Sequence, residues 1–500
     1  MSLQSTVDQA REEADNLASS RKRERSPSYL KEGPTARGID ITAIPVLSWF
    51  LRNPAFLTGV RFLMLFLLVS AIYFGLTQPE LHGGFTLALF WGAFWPFFTV
   101  LVTPTIGNVF CAICPSGFTG KYLTRIGLKR NFPEWAKNAH IGLGLILITY
   151  WLVTYVAPKT LSFSPVLTAW FFLGYSVLAA ALFLIFRNMA YCKHVCPVGG
   201  VLSAYAHASS GWITTHKADC AGCRSFDCAK ACSHHLSPFR FEHENNMADC
   251  TLCMDCVQAC DSVRFELRMP GHQLARPIRK PGWNDSWTLL FITGVAGVAI
   301  QFQHGLNHSP IAPFMPWNVA GAWAGAVLPM PAWFTWPGLF ALVLGLGLTM
   351  AISLAAYRAI GRKLGRSWRD VFQTLSYGLA PLVCIALLSH SALFFLLRYG
   401  PRLWNSGIAA FGLPFDQIGP LIARGAPWLL IFEVLPWIAV AWALRSMWKR
   451  AALLMPAMAA RRDHVAVWLL GSSPILLYTA ILTLKVMANL FMADGGHHAH

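Results

Sequence analysis

Charge is what this sequence has least of. Only 13% of its 500 residues are charged while 55% are hydrophobic. A soluble domain carries about a quarter charged residues, so this composition excludes one and describes an integral membrane protein. Acidic side chains are the scarcest, 23 against 40 Lys and Arg, for a net charge of +17. In a soluble chain that excess would suggest nucleic acid. Here the basic residues cluster in short loops between apolar stretches, so no nucleic-acid partner is expected and lipid takes its place. No basic segment followed by a short apolar run opens the chain, so no signal peptide is read and the N-terminus is expected inside. A Cys-x-x-Cys-His motif is also missing, which removes c-type haem.

What remains is mostly apolar helix. Spanning segments need about 20 apolar residues, and about nine candidates meet that rule. They lie near residues 58–77, 84–103, 139–157, 166–186, 287–304, 333–356, 371–397, 426–444 and 465–490. Lys121, Arg125, Lys129, Arg130 and Lys137 follow the second. Arg358, Arg362, Lys363, Arg366 and Arg369 follow the sixth, and Arg445, Lys449, Arg450, Arg461 and Arg462 the eighth. These loops are therefore inside. The stretch Asn307 to Ala332 has no Lys or Arg and lies outside, although Arg398, Arg402 and Arg424 run against the rule in another outer loop. The expected organisation is a disordered arm at 1–44, a four-helix membrane domain at 45–205, and a cytoplasmic ferredoxin-like domain at 206–282. A five-helix membrane domain follows at 283–492, then a His-rich periplasmic tail at 493–500, whose His497, His498 and His500 read as solvated. The fold class is an all-α polytopic membrane protein with an inserted cytoplasmic 2[4Fe-4S] module.

Eight of the 13 cysteines fall in two runs, Cys220, Cys223, Cys228, Cys232 and Cys250, Cys253, Cys256, Cys260. The second has bacterial ferredoxin spacing, in which three thiolates wrap one cubane and the fourth completes its neighbour. The pairing expected is Cys220, Cys223, Cys228 with Cys260 for one [4Fe-4S] cluster, and Cys250, Cys253, Cys256 with Cys232 for the other. Ser233 and Asp261 stand where ferredoxins usually carry proline, and the first run has two extra residues before Cys228. A zinc ribbon on Cys220, Cys223, Cys250 and Cys253 would leave four regularly spaced thiols unexplained, and disulfides do not suit a cytoplasmic segment.

An internal repeat precedes these runs. Spans one and two lead into Cys111-Ala112-Ile113-Cys114-Pro115, and spans three and four into Cys192-Lys193-His194-Val195-Cys196-Pro197. Each hairpin thus delivers two thiols and a proline that can start a short helix at the inner surface. Cys111, Cys114, Cys192 and Cys196 are candidate redox thiols or metal ligands.

Two membrane hairpins ending in Cys-Pro turns, followed at once by a double-cluster segment, resemble the NapH/NosR family of membrane ferredoxin-type proteins. The resemblance covers roughly residues 58–270. Cys192, Cys196 and Pro197 match its second motif, and Cys111, Cys114 and Pro115 its first with one residue fewer between the cysteines. It implies electrons taken from the quinol pool, usually for a periplasmic redox enzyme. No flavin-binding domain precedes the membrane part, so covalent flavin is not expected. The resemblance says nothing of the last five spans.

Ionisable groups inside apolar spans are costly and mark sites or partners. His390, Glu433 and Lys485 share one depth near the outer edge, either as a quinol or proton site or with a structural Glu433–Lys485 ion pair. His304 and His308 are one helical turn apart, a weak metal or haem candidate; haem has no other support. His194, His216, His234, His235 and His243 read as polar surface residues, and Cys384 as a small core residue.

The function expected is a redox conduit: an electron-transfer subunit of quinol dehydrogenase type in the bacterial inner membrane. Its two [4Fe-4S] clusters would couple quinone to a partner redox protein. The rival is a membrane-bound reductant that serves the assembly or maintenance of a metalloenzyme; a purely structural scaffold would not need these thiolates. Reporter fusions after Arg130, Pro270 and Arg366 are expected to read cytoplasm, and those after Asn318 and at the C-terminus periplasm. A periplasmic signal at Pro270 would remove the reducing environment that the cluster assignment assumes.

Overall fold

The computed structural model describes residues 38–491 apart from 138, 216–219, 221–222, 248, 280, 424–425 and 457–459, and gives the backbone alone at 95, 96, 99, 139, 387, 390 and 491. From Ile39 onward the chain forms one compact unit. Most of the expected arm, and the His-rich tail, lie outside the described residues.

Among the described residues seven helices are long and apolar enough to cross a membrane: Pro54–Thr77, Pro165–Ile185, Trp283–His308, Trp336–Leu364, Trp368–Phe411, Pro427–Leu454 and Ser473–Leu490. The two other expected spans fall on a continuous helix at 79–105 and on the shorter apolar helix His140–Val156. The expected ninth span is split. A helix Arg461–Gly471 stops at Ser472, whose backbone leaves the helical region, before Ser473 starts the last one.

These helices do not share burial equally. The most apolar window of Trp283–His308 is 78% buried against 11% for Pro54–Thr77, so the former is the central post and the latter turns most of its surface outward. Leu289, Leu290, Val295 and Ala299 of the post pack with Tyr357, Phe372, Leu379, Ala443 and Tyr478 from the helices around it. Small residues permit the closest crossings: a Cβ added at Gly345 would lie 2.6 Å from that of Ala299. Pro381 lacks the N–H of a regular helix, and the turn Ser376–Leu379 before it is tightened to 3-10 geometry. That turn points Tyr377 inward, where the buried Arg450 lies over its ring at 5.3 Å and donates to the carbonyls of Thr374 and Arg276.

The structure also contains a sheet that the all-α reading lacked. Gly211–Thr215 (β2) and Val263–Leu267 (β3) pair antiparallel, with Thr215 opposite Val263, and Ile39–Asp40 (β1) adds an edge, in the order β1-β3-β2. β2 enters and β3 leaves the cysteine-rich segment, so their pairing closes the loop that contains it. Trp212, Ile213, Val263 and Phe265 pack there with Phe241, Met247, Leu252 and Val257. Strands this short carry little pattern in a sequence, which is why they escaped notice. β1 also moves the boundary of the expected arm from 44 to 38, because Asp40 pairs with Arg264 at 2.8 Å. The helix Pro45–Arg52 then docks Arg52 on Asp261 (3.0 Å) and the Val257 carbonyl (2.8 Å).

β2 starts against the end of the 79–105 helix. Ser210 N–H donates to the Thr105 carbonyl, and a Cβ on Gly211 would overlap the Ile106 carbonyl at 1.8 Å, so only glycine allows this approach.

Candidate functional site

The two Cys-Pro turns have the same local build. Cys114 caps the helix Pro115–Ile126 with φ −60° and ψ 126°, and Cys196 caps Pro197–Ala206 with φ −58° and ψ 114°. Proline fixes the first helical residue in each case, and the following N–H groups point back at sulfur. Gly199 N–H donates to Cys196 Sγ at 3.3 Å, and at Cys114 the Gly117 and Ser116 N–H groups oppose the rise that burial causes. The internal repeat is therefore a repeat of structure at these turns.

All four thiols line one cavity of about 250 Å³. Each keeps some accessible surface, which faces that cavity. Burial raises Cys111 and Cys192 well above the usual thiol range, and their neighbours raise them further: Cys114 and Cys196 act on Cys111, and Cys196, Cys114 and Cys111 on Cys192. Cys196 is pushed up to about 11 by burial and then by Cys114, with the N–H groups of Gly199 and Val198 opposing. The thiols thus stand close enough to repel one another as thiolates. Reactive exchange dithiols have lowered values, so this raised set suits metal ligation, where the metal itself removes the protons.

Single-ion geometry is absent. Among the described residues no three His, Cys, Asp or Glu side chains converge as ligands of one metal ion do.

In the two ferredoxin-like runs, what raises Cys228 and Cys256 tells which thiols neighbour them. Cys228 is pushed up to about 11 by burial and then by Cys260, Cys220 and Cys223. Cys256 is raised by burial and then by Cys250, Cys253, Cys232 and Cys228, which also shows that the two groups adjoin. Leu252 and Met254, on either side of Cys253, adopt left-handed backbone (φ 49° and 62°) although neither is glycine. Such residues cost about 1–3 kcal/mol each and turn successive N–H groups toward one side. Leu252 and Asp255 N–H groups serve the sulfurs of Cys250 and Cys253.

Arg61 joins the two sets of thiols. This buried residue of the first spanning helix donates from Nε to the Ala112 carbonyl and from Nη2 to the Cys253 carbonyl, both at 2.9 Å, and reaches Asp255 Oδ1 at 3.5 Å. Ala112 lies between the first pair of turn cysteines, and Cys253 lies in the second ferredoxin-like run. Lys121, on the helix after the first turn, pairs with Asp255 Oδ2. The signal for Arg61 was present in the sequence as a charge inside the first apolar span, and it was overlooked beside the outer charges.

The other candidates are placed less productively. Glu433 is exposed, Lys485 lies alongside Gly305, and they form no ion pair with each other; the side chain of His390 is outside the described residues. His304 and His308 are both exposed, and lie in a wide and a tight helical turn respectively rather than in one α-helical turn. His234 is not a surface residue: it is buried, lines the cavity, and is lowered to about 4 by burial and by Lys193 and Lys121. His194 stacks on Phe132 with centroids 5.1 Å apart, Arg279 contacts His243, and His235 takes a left-handed backbone; His216 is outside the described residues. Cys384 is a core residue 4.0 Å from the Tyr205 carbonyl.

Comparison with known proteins defines a class for this arrangement. A family model described as a 4Fe-4S binding domain matches residues 87–133 and 168–215, about a fifth of the chain. The match covers the two Cys-Pro turns with most of the helix that leads into each and ends before Cys220, so it points to the membrane-side thiols where the spacing argument pointed to the later runs. The uncharacterized protein MJ0749 of Methanocaldococcus jannaschii is 29% identical over 160 residues, 31% of this chain and 61% of its own length. The Escherichia coli protein YccM, whose name proposes electron transport, is 25% identical over 130 residues, 25% of this chain and 35% of its own. The chain therefore spans about three fifths of the former and about a third of the latter. No solved structure matches.

Replacing Arg61 by Met would leave the Ala112 and Cys253 carbonyls without their donor and Asp255 with one cation instead of two. A loss of roughly 3 kcal/mol is expected at this contact. Hydrogen exchange should then quicken at residues 250–256 while the spanning helices keep their protection, and Arg61→Lys should recover little, since one ammonium cannot reach both carbonyls as the guanidinium fork does.

Proposed function

We propose that this chain is a membrane-bound iron-sulfur electron carrier that couples a quinol pool to a partner redox protein. The observation that carries the reading is the shared cavity, whose wall holds the four turn thiols and also Cys253 of the ferredoxin-like segment. An apolar carrier in the membrane and the cysteine-rich segment thus meet at one place, without a crossing of the ~30 Å hydrocarbon layer.

In this reading Cys220, Cys223, Cys228 and Cys260 hold one [4Fe-4S] cluster, Cys250, Cys253, Cys256 and Cys232 hold a second, and Cys111, Cys114, Cys192 and Cys196 hold a further iron-sulfur centre. Such clusters supply one-electron transfer. The protein's own part is positional: Arg61 and Lys121 hold the Cys253 loop against the first turn, and the aromatic walls exclude water. The basic loops favour a reading in which this end of the bundle, with the ferredoxin-like segment, faces the cytoplasm across a bacterial inner membrane. The inner cavity replaces the outer trio as the quinol site, because Glu433 and Lys485 are neither paired with each other nor near the cysteines.

Metal analysis of anaerobically purified protein tests the assignment. About twelve iron and twelve sulfide per chain are expected if all three thiol sets hold cubanes, and about eight if the turns hold none. Cys196→Ser should then remove about four iron and leave the other two clusters, while Cys256→Ala removes one cluster and weakens its neighbour. Stoichiometric zinc without sulfide would overturn the proposal.

A further inference from the structure

A second polar group opens onto the same cavity and is not accounted for by iron. Asp285, at the start of the central helix Trp283–His308, is 5% exposed and lines the cavity wall. Its Oδ2 accepts from His207 Nε2 at 3.1 Å and from the Tyr377 hydroxyl at 3.4 Å, and its Oδ1 accepts from Ser203 Oγ at 3.1 Å. His207 is held in turn, with Nδ1 3.0 Å from Gln273 Oε1. That oxygen can only accept, so Nδ1 is the nitrogen that donates to it, and Nε2 is the one turned toward the carboxyl group. The Ser203 and Tyr377 hydroxyls and the His207 ring thus surround the carboxyl group.

An ionised carboxylate offers about four acceptor positions and no donor. Oδ2 uses two of them and Oδ1 one, which leaves one position on Oδ1 at the cavity wall. The group suited to it is a hydroxyl. Asp249 is a second carboxyl near it on the lining, while elsewhere the cavity is apolar and aromatic: Phe90 stacks on Phe172 at 3.6 Å and Trp91 on Tyr150 at 5.5 Å, and the lining continues to Met64 and Leu67 on the first spanning helix. The volume of about 250 Å³ accommodates a substituted six-membered ring, since an apolar cavity of about 150 Å³ already takes benzene.

We propose that Asp285, positioned by His207, is the specificity-determining residue that selects the reduced, hydroxyl-bearing form of a quinone headgroup in this cavity. The inference rests on the quinol reading above and deepens it. A hydroquinone hydroxyl donates to the free position on Oδ1, whereas the carbonyl of the oxidised form presents a second acceptor to an acceptor and is repelled. The product of oxidation is therefore held more weakly than the substrate.

The test uses redox-inert probes, so that binding is read without turnover. Affinities of 2,3,5,6-tetramethylphenol and its methyl ether are measured by calorimetry on the intact protein in lipid nanodiscs. The phenol is expected to bind at least about tenfold tighter than the ether, and Asp285→Asn, of the same size, to bring the ratio within about threefold. A ratio near one in the unmodified protein, or a tenfold ratio kept in Asp285→Asn, would overturn the assignment. If the variant does not fold, ring-substituted phenols of graded acidity decide on the unmodified protein: affinity that rises with hydroxyl acidity supports donation to a carboxylate, and a flat series overturns it. Quinol-dependent cluster reduction is measured separately. Its absence would sink the quinol reading, while the phenol-to-ether ratio still decides whether Asp285 selects a hydroxyl.

Discussion

A guanidinium inside the first spanning helix carries the architecture of the site. Arg61 holds two backbone carbonyls, one from the first Cys-Pro turn and one from the second ferredoxin-like run, that lie far apart in sequence. A planar fork with several fixed donors can bridge two such acceptors, while the cost of burying its charge is offset by Asp255. Lys121 meets the same carboxylate from the helix that the turn itself starts. The cysteine-rich segment is thereby fastened to the membrane helices at the point where its cysteines come nearest to theirs.

From that fastening follows the enclosure. The thiols are raised because they are desolvated together, and they are desolvated because the segment covers the end of the bundle. The same cover closes a cavity whose other walls come from the wide helical turns at 88–102, 147–151 and 191–195. Such turns give up regular helix geometry and recur where side chains must be aimed at a site. On the far wall Asp285 and His207 belong to a second fastening, which joins the helix after the second turn, the linker at Gln273 and the turn at Tyr377. The two halves of the membrane part meet through that polar network as well as through apolar packing.

Much of the site could be read from spacing. The two ferredoxin-like runs suggest a grouping because ligand spacing is a local property, and the repeat of the Cys-Pro turns predicts two equivalent helix starts, which Cys114 and Cys196 provide. The helical positions were legible for a similar reason: long apolar runs can bury their backbone groups only as helices in lipid. The short strands β1 to β3 were not legible, since two to five residues hold too little alternation to recognise.

Sequence alone thus determined the membrane class and the two turns, each of which depends on residues near one another along the chain. It could not decide which charges meet. Glu433 and Lys485 share a depth in the sequence but do not pair in the fold, while Arg61, Asp255 and Lys121 share nothing in the sequence and form one contact. Depth along a helix follows from counting residues, but the side of the helix that faces a partner depends on how it is rotated against its neighbours. That rotation is set by packing over the whole bundle, and only the tertiary structure reveals it.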